Sequence, residues 1–272
     1  MKVIPNILML LFIIFSISCT KKQSMFQKIP ALEGAYKVRI LYQMSNKNYD
    51  GAFQSANEVL EYNPKNKEIL LQRGQLYLLK KDIPNCLKDY NNAIKVDAQY
   101  SDAYSKRAFL YSKLNRNEDA LKDYNTAISF NANDADLYRD RANFLCKIQK
   151  YDDAFNDYNK AVNLQSEEGS ILFYERGECY EMDDLHNQAI LDYTKAIEIS
   201  EKSFKKSTDC VSRPVAGVSD AFCPVNLKHA NDELYNLYQK RGLLYKKIGK
   251  NSLSKKDIAT SLKFKVTTKS HS

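Results

Sequence analysis

Apolar side chains recur at helical spacing through the middle of the chain, in short runs separated by polar segments. Leu70, Gly74 and Tyr77 illustrate one run, because three- and four-residue steps place them on one face of a helix. The polar breakers at 115–117 and 249–251 divide such runs into halves. The pattern predicts pairs of short amphipathic helices joined by tight turns.

The pattern is also periodic over a much longer distance. The segment RGQLYLLKKDIPNCLKDYNNAI beginning at Arg73 has counterparts at Arg107 and Arg141, 34 residues apart, then at Arg176 and Arg241. Gly169 accounts for the one extra residue before the fourth segment. One helix pair cannot bury its apolar face alone, so neighbouring pairs must stack.

These segments resemble the tetratricopeptide repeat family. Its 34-residue unit has small residues at positions 8 and 20, matched in the second unit by Gly74 and Cys86, and an aromatic at position 24, matched by Tyr90. The resemblance implies an all-α, right-handed superhelical solenoid of about six antiparallel helix pairs. The predicted units are 33–66, 67–100, 101–134, 135–168, 170–203 and 235–268, followed by a tail at 269–272.

An arginine at position 7 and an aspartate at position 23 recur together in these units. They fall on opposite helices of an antiparallel pair, so each pair is predicted to be a structural salt bridge and not a ligand site. The first unit departs from this pattern, with Arg39 opposite Ser55. The predicted pairs are Arg73/Asp89, Arg107/Asp123, Arg141/Asp157, Arg176/Asp192 and Arg241/Asp257.

The composition permits a sizeable core and concentrates the charge at one end. The chain has 272 residues, 44% of them hydrophobic, and a formal net charge of +8. From Lys240 to Ser272 there are ten Lys or Arg residues and one acid, Asp257, so the remainder is about neutral. A basic end is weak evidence for nucleic-acid binding, which we do not expect. It is either a polar cap on the repeat array or a contact with anionic headgroups or envelope polymers.

The first residues have the pattern of an export signal. Lys2 precedes an apolar run at 7–17, which is too short for a membrane-spanning helix and fits a signal peptide. The segment ending at Cys19 resembles the lipobox of bacterial lipoproteins, although Ser16 stands where that motif usually has leucine. The resemblance implies a signal peptide at 1–18, lipidation of Cys19, a tether at 19–32 and, by preference, the outer membrane. Ordinary cleavage nearby and an uncleaved anchor are the alternatives.

An insertion at 204–234 interrupts the array, and it shows no sustained period. Cys210 and Cys223 lie within it, and in an exported protein they are predicted to form a disulfide, the alternative being two free thiols. No C-x-x-C pair or histidine cluster accompanies them, so we expect no metal site. Cys86 is expected in the core, whereas Cys146 and Cys179 are assigned no role.

No catalytic motif is present in the sequence, and we expect a protein that is not an enzyme and needs no cofactor. The family resemblance implies that partners contact the first helix of each unit. A protein, an extended peptide or a partner helix is expected there, with Phe109, Arg139 and Tyr174 as anchors; a chaperone C-terminal tail is not. The residues implied are Leu71, Gln75, Ser105, Phe109, Arg139, Asn143, Tyr174, Glu178, Gln239 and Leu243.

The expected function is therefore that of an envelope-facing lipoprotein scaffold for protein–protein assembly. The family resemblance implies, by class, assembly of an outer-membrane insertion, pilus or secretion complex. The alternative is a receptor for an envelope polymer, a peptide or an anionic lipid surface.

Overall fold

A computed structural model of the chain describes residues 30–165, 169–212 and 227–265. These residues form twelve α-helices and no strand, which confirms the all-α class and the succession of packed helix pairs. The helices are α1 Pro30–Ser45, α2 Tyr49–Tyr62, α3 Lys67–Leu79, α4 Ile83–Val96, α5 Ser101–Lys113, α6 Asn117–Phe130, α7 Ala135–Lys147, α8 Tyr151–Leu164, α9 Ser170–Met182, α10 His186–Ser212, α11 Leu227–Lys247 and α12 Asn251–Ser261.

The chain divides into two compact units, Met1–Phe130 and Asn131–Ser272. In the first unit α2 packs against α3, and α4 against α5, so each pair covers the next. In the second unit α9 contacts both helices of the preceding pair, α7 and α8, and α10 packs against α11. Within each unit, the helix pairs therefore cover part of one another's apolar surface.

The turn inside each pair depends on one residue with a left-handed backbone. Lys47, Lys81, Asn115, Gln149 and Asp184 have φ near +60°, and Gly249 has φ 79°. A left-handed residue just after a helix ends it and reverses the chain direction. The turn thus recurs at the same position of every unit, although only the last unit has glycine there.

Small residues where the two helices of a pair cross allow a tyrosine to fill the space between them. Tyr90, Tyr124, Tyr158 and Tyr193 are all buried in this way. A Cβ atom on Gly177 would lie 2.7 Å from Cε1 of Tyr193, closer than van der Waals contact allows. In the last pair Ile258 takes the place of the tyrosine and approaches Gly242.

Much of the segment at 204–234 that lacked an obvious period is helical. α10 continues to Ser212, and α11 already begins at Leu227. Phe204 packs edge-on against Phe264, which gives the extension of α10 an apolar contact.

Candidate partner-binding surface

Five arginine–aspartate pairs join the two helices of a pair in both units. Each arginine donates from Nε and Nη2 to the two carboxylate oxygens of the aspartate sixteen residues later, at 2.6–2.9 Å. The structure thus brings all five predicted pairs together. They are Arg73 with Asp89, Arg107 with Asp123, Arg141 with Asp157, Arg176 with Asp192 and Arg241 with Asp257.

The aspartates of these pairs are buried, and the arginines are partly buried with them. The side chain of Asp89 is only 2% exposed, and that of Asp157 is 8% exposed against 21% for its partner Arg141. Both hydrogen bonds from Arg141 to Asp157 measure 2.6 Å. The hydrogen bond to the aspartate raises the pKa of Arg73 and likewise that of Arg141, so both guanidinium groups stay charged.

Four of these arginines also reach the preceding helix pair. The Nη1 atom of Arg73 donates to Oδ1 of Asn57 at 2.9 Å, and Arg107 and Arg176 donate to Asn91 and Asn159 at 2.6 and 2.7 Å. Arg241 donates to Oγ1 of Thr194 at 3.0 Å. One guanidinium therefore holds two helix pairs together, which the sequence reasoning missed. The signal was present, because asparagine recurs two residues after the aspartate.

The first pair replaces this network with neutral groups. Ser55 is buried in the position of the aspartate, and its hydroxyl donates to Oε1 of Gln43 at 3.0 Å. Arg39 is exposed, with its guanidinium 5.8 Å from the ring centroid of Tyr36. No buried carboxylate lies opposite Arg39, so burying its guanidinium would carry a desolvation penalty that no ion pair offsets.

In the first unit, the residues expected to contact a partner differ in their access to solvent. Phe109 is 42% exposed and Gln75 is half-buried. Leu71 and Ser105 are buried, so they offer little area to a partner. Phe109 on α5 is thus the accessible aromatic side chain of this set, with the Lys113 ammonium 5.1 Å from its ring centroid.

In the second unit, side-chain contacts join the first helices of successive pairs. The Asn143 amide on α7 donates to Oε2 of Glu175 on α9 at 3.0 Å and accepts a hydrogen bond of 2.5 Å from the Tyr158 hydroxyl. Arg139 lies 3.7 Å from the same Glu175 carboxylate and 2.7 Å from that of Asp136. Asn143 itself is exposed, whereas Arg139 is half-buried.

A second group of contacts continues this surface towards α11. The Tyr174 hydroxyl and the Lys240 ammonium both donate to Oε1 of Glu178, at 2.9 and 2.8 Å. Lys240 also lies 3.7 Å from Oε2 of Glu181, which accepts a hydrogen bond of 2.5 Å from the Tyr193 hydroxyl. We call this surface of α7, α9 and α11 the acidic face and define it by Asn143, Glu175, Glu178, Glu181 and Lys240.

Apolar side chains lie beside the polar groups of the acidic face. Leu243 on α11 is 57% exposed, and Met182 at the end of α9 is 62% exposed. Gln239 is half-buried on α11, and its side-chain amide donates to Oγ of Ser261 on α12 at 2.7 Å. This hydrogen bond engages the amide inside the α11–α12 pair. Leu243 is therefore the more accessible of the two α11 residues expected to contact a partner.

Burial changes the proton affinity of the acidic face. Loss of solvent contact raises the pKa of Glu175, although the hydrogen bond from Asn143 and the charge of Arg139 oppose the rise. Burial together with the hydrogen bond to Glu178 raises the pKa of Tyr174, which stays a hydroxyl donor at neutral pH. At neutral pH the Tyr174 hydroxyl therefore donates to Glu178, and Glu175 accepts a hydrogen bond from Asn143.

Cys146 on α7 and Cys179 on α9 form a disulfide. Both cysteines are buried beneath the acidic face. The sequence reasoning assigned them no role, because only the packing of neighbouring first helices shows that they meet. Cys86 is a free thiol in the core, and burial raises its pKa to about 11, which makes it unreactive at neutral pH.

Several predicted features lie outside the described residues. These are the signal peptide, Cys19, Cys223, the side chain of Cys210 and the tail at 269–272. Among the residues described, no helix combines the length and the apolar character that a membrane crossing requires. Over the same ranges, no group of three or more His, Cys, Asp or Glu side chains is arranged to hold a metal ion.

The comparisons with known proteins agree with this architecture. Residues 101–134 match the family model described as the tetratricopeptide repeat. No curated protein sequence matches the chain.

Solved structures of similar fold cover most of the chain. PilW, a widely conserved type IV pilus biogenesis factor, is 14% identical over 85% of this chain and 93% of its own, with a TM-score of 0.62. A thermophilic TPR protein from Thermus thermophilus is 19% identical over 66% of this chain and 97% of its own, with a TM-score of 0.57. A tetratricopeptide repeat protein from Parabacteroides merdae is 20% identical over 90% of this chain and 85% of its own, with a TM-score of 0.55. These likenesses show the fold alone, and with the match at 101–134 they support a tetratricopeptide repeat fold for this chain.

Proposed function

We propose that the protein is an envelope-facing lipoprotein that acts as a scaffold for protein–protein assembly. The observation that carries the scaffold proposal is the acidic face, where three successive first helices are joined side by side. The Asn143–Glu175 contact links α7 to α9, and the Lys240–Glu178 contact links α9 to α11. A surface several helices wide suits an extended peptide or a partner helix better than a small molecule.

The chemistry of the acidic face specifies the kind of segment that would fit it. Glu178 and Glu181 outnumber the one neighbouring lysine, Lys240, and favour basic side chains on the partner. Leu243 and Met182 offer apolar area beside them. A segment with Lys or Arg beside one or two apolar anchors therefore matches the face, where the half-buried Tyr174 holds Glu178 through its hydroxyl.

The envelope location is a proposal from the sequence around Cys19. The buried Cys146–Cys179 disulfide supports export, because disulfides persist in oxidising compartments and are rare in the cytosol. The fold likeness to a type IV pilus biogenesis factor is compatible with a role in assembling an envelope complex of the outer-membrane insertion, pilus or secretion type.

Site-specific photo-crosslinking in cells tests the scaffold proposal. A photoreactive residue in place of Leu243 or Asn143 should give discrete protein adducts, since Asn143 is exposed on the acidic face and Leu243 is exposed beside it. A photoreactive residue in place of Leu191, which is 70% exposed on α10, is the matched control. Adducts of equal yield from the control position would contradict a specific docking surface.

Mass analysis of the mature amino terminus tests the lipoprotein proposal separately. We expect a chain that begins at Cys19 and carries acyl groups. A chain that still begins at Met1, or one that begins at Cys19 without a lipid, would contradict it. Either outcome leaves the crosslinking result to decide the scaffold proposal.

The alternative function is that of a receptor for an envelope polymer, peptide or anionic lipid surface. It is favoured by the seven described lysines that follow Arg241, all of which are exposed. Salt-sensitive retention on a purified glycan or anionic lipid, without adducts from the acidic face, would select this alternative.

A further inference from the structure

The lysines of the last helix pair are largely without acidic partners. Lys247 lies 3.4 Å from Asp184, and Asp257, the one acid between Lys240 and Lys265, is buried with both carboxylate oxygens engaged by Arg241. Across the described ranges, no ion pair is formed by the other lysines of this pair that follow Arg241. These are Lys246, Lys250, Lys255, Lys256, Lys263 and Lys265, and all of them are exposed.

Two of these lysines lie on one side of α12, and a third follows the end of the helix. Ser252, Lys255, Lys256 and Ala259 recur at helical spacing and are exposed, and Lys263 follows just after the helix on the same side. The buried residues Ser254, Asp257 and Ser261 lie on the opposite side. We call this side, defined by Ser252, Lys255, Lys256, Ala259 and Lys263, the lysine face. Its small residues let a flat surface approach the ammonium groups.

The exposed face of a terminal helix pair must be polar, but its charged side chains need not all have the same sign. The second helix α8 has exposed Asp152 and Asp153 along with Lys160, and α10 has Glu198 beside Lys195. Mixed charges of this kind keep a surface soluble. By contrast, α12 has no exposed acid. The accumulation of lysine therefore points to an anionic partner.

We propose that the lysine face binds the anionic headgroups of a phospholipid membrane. Lysine ammoniums are compact, hydrated charges, and each contributes about 1 kcal/mol near an anionic bilayer. Nucleic-acid sites add arginine forks and stacking aromatics, and the lysine face has neither. The inference rests on the proposed envelope function for the presence of a membrane nearby, and it adds a second, non-covalent membrane contact.

Vesicle binding of the full chain with Cys19→Ala tests this inference without a lipid anchor. Affinity is measured for phosphatidylcholine vesicles with and without 30% phosphatidylglycerol, and the ratio of the two affinities is the phosphatidylglycerol increment. Because the apolar run at 7–17 can insert into both kinds of vesicle, its contribution cancels in this ratio. At low salt, the phosphatidylglycerol increment of the variant K255Q/K256Q/K263Q should be about 100-fold smaller than that of the unsubstituted protein. The phosphatidylglycerol increment of the protein with its lysines intact should also fall steeply as salt is added.

The matched control K88Q/K122Q/K160Q removes the same charge from exposed positions on other helices. It should leave the phosphatidylglycerol increment within about twofold, and unchanged circular dichroism should show that both variants are folded. Equal losses in the two variants, or no loss in the first, would overturn the inference. A larger loss of duplex DNA binding than of vesicle binding would overturn it in favour of a nucleic acid. Crosslinking from the acidic face is unaffected by any of these outcomes, so failure here is distinct from failure of the scaffold proposal.

Discussion

The arginine–aspartate contacts and the acidic face differ in how often they recur. The contacts of Arg73 with Asp89 and Asn57 are reproduced almost atom for atom by Arg176 with Asp192 and Asn159 in the other unit. The acidic face occurs once, because the triad of Glu175, Glu178 and Glu181 has no counterpart in the other repeats. A contact repeated in five of the six described pairs serves the scaffold, whereas a group present in one pair is available for recognition.

The difference predicts opposite consequences for stability. Buried partners of a repeated contact are costly to remove, since the remaining charge is left without a partner in the protein interior. A half-buried carboxylate on a recognition surface need not stabilise the fold at all. Substitutions on the two surfaces should therefore separate them experimentally.

The largest effect is expected for Asp192→Ala. The change leaves the Arg176 guanidinium half-buried without its carboxylate, and should cost about 3–5 kcal/mol in the free energy of unfolding. Urea denaturation followed by circular dichroism measures it. Asp232→Ala, at an exposed acid on α11, should stay within about 0.5 kcal/mol. An unchanged melting temperature for Asp192→Ala would refute the structural role of the pair.

The disulfide is expected to have the next largest effect. Replacing both cysteines, as in C146A/C179A, opens a loop of 33 residues and should cost about 2–4 kcal/mol. A reductant should lower the melting temperature of the unsubstituted protein by more than that of the double variant, which retains only the predicted Cys210–Cys223 bond. If the reductant has no effect on either protein, the two thiols are not bonded.

A smaller effect is expected for Asn159→Ala. This change removes the acceptor for Nη1 of Arg176 at the junction between two helix pairs and should cost about 1 kcal/mol. Asn156→Ala, at an exposed position on the same helix, is the matched control. If Asn159→Ala lowers the free energy of unfolding no more than Asn156→Ala does, the Arg176–Asn159 hydrogen bond does not stabilise the junction.

The smallest effect, and one of opposite sign, is expected for Glu175→Gln. Burial raises the pKa of Glu175, so its contribution to stability is present below its ordinary value of 4.5 and is lost as the pH rises through the pKa of the folded protein. Glutamine still accepts a hydrogen bond from Asn143 and needs no ionisation. Stability at pH 7 should rise slightly, on the order of 0.5 kcal/mol, and should vary less between pH 4 and 7. A loss above about 1 kcal/mol at pH 7 would place Glu175 among the scaffold contacts.

The sequence predicts those features of the fold that depend on local spacing. The helix pairs follow from the apolar period, and the meeting of Arg107 with Asp123 follows from antiparallel packing at fixed positions. Contacts between pairs are harder to predict, because the meeting of Cys146 and Cys179 depends on how neighbouring first helices pack. The accessibility of the candidate surface is likewise a property of packing, as the burial of Leu71 shows.

The second contact of Arg73, Arg107, Arg176 and Arg241 has a consequence for how such chains can lengthen. It spans 16 residues from Arg107 to Asn91, 17 from Arg176 to Asn159 and 47 from Arg241 to Thr194. Its geometry is therefore set by where two helices touch, whatever length of polypeptide connects them. New sequence can enter at a repeat junction without shifting the neighbours out of register, which makes junctions favourable places for evolution, or an engineer, to add a module.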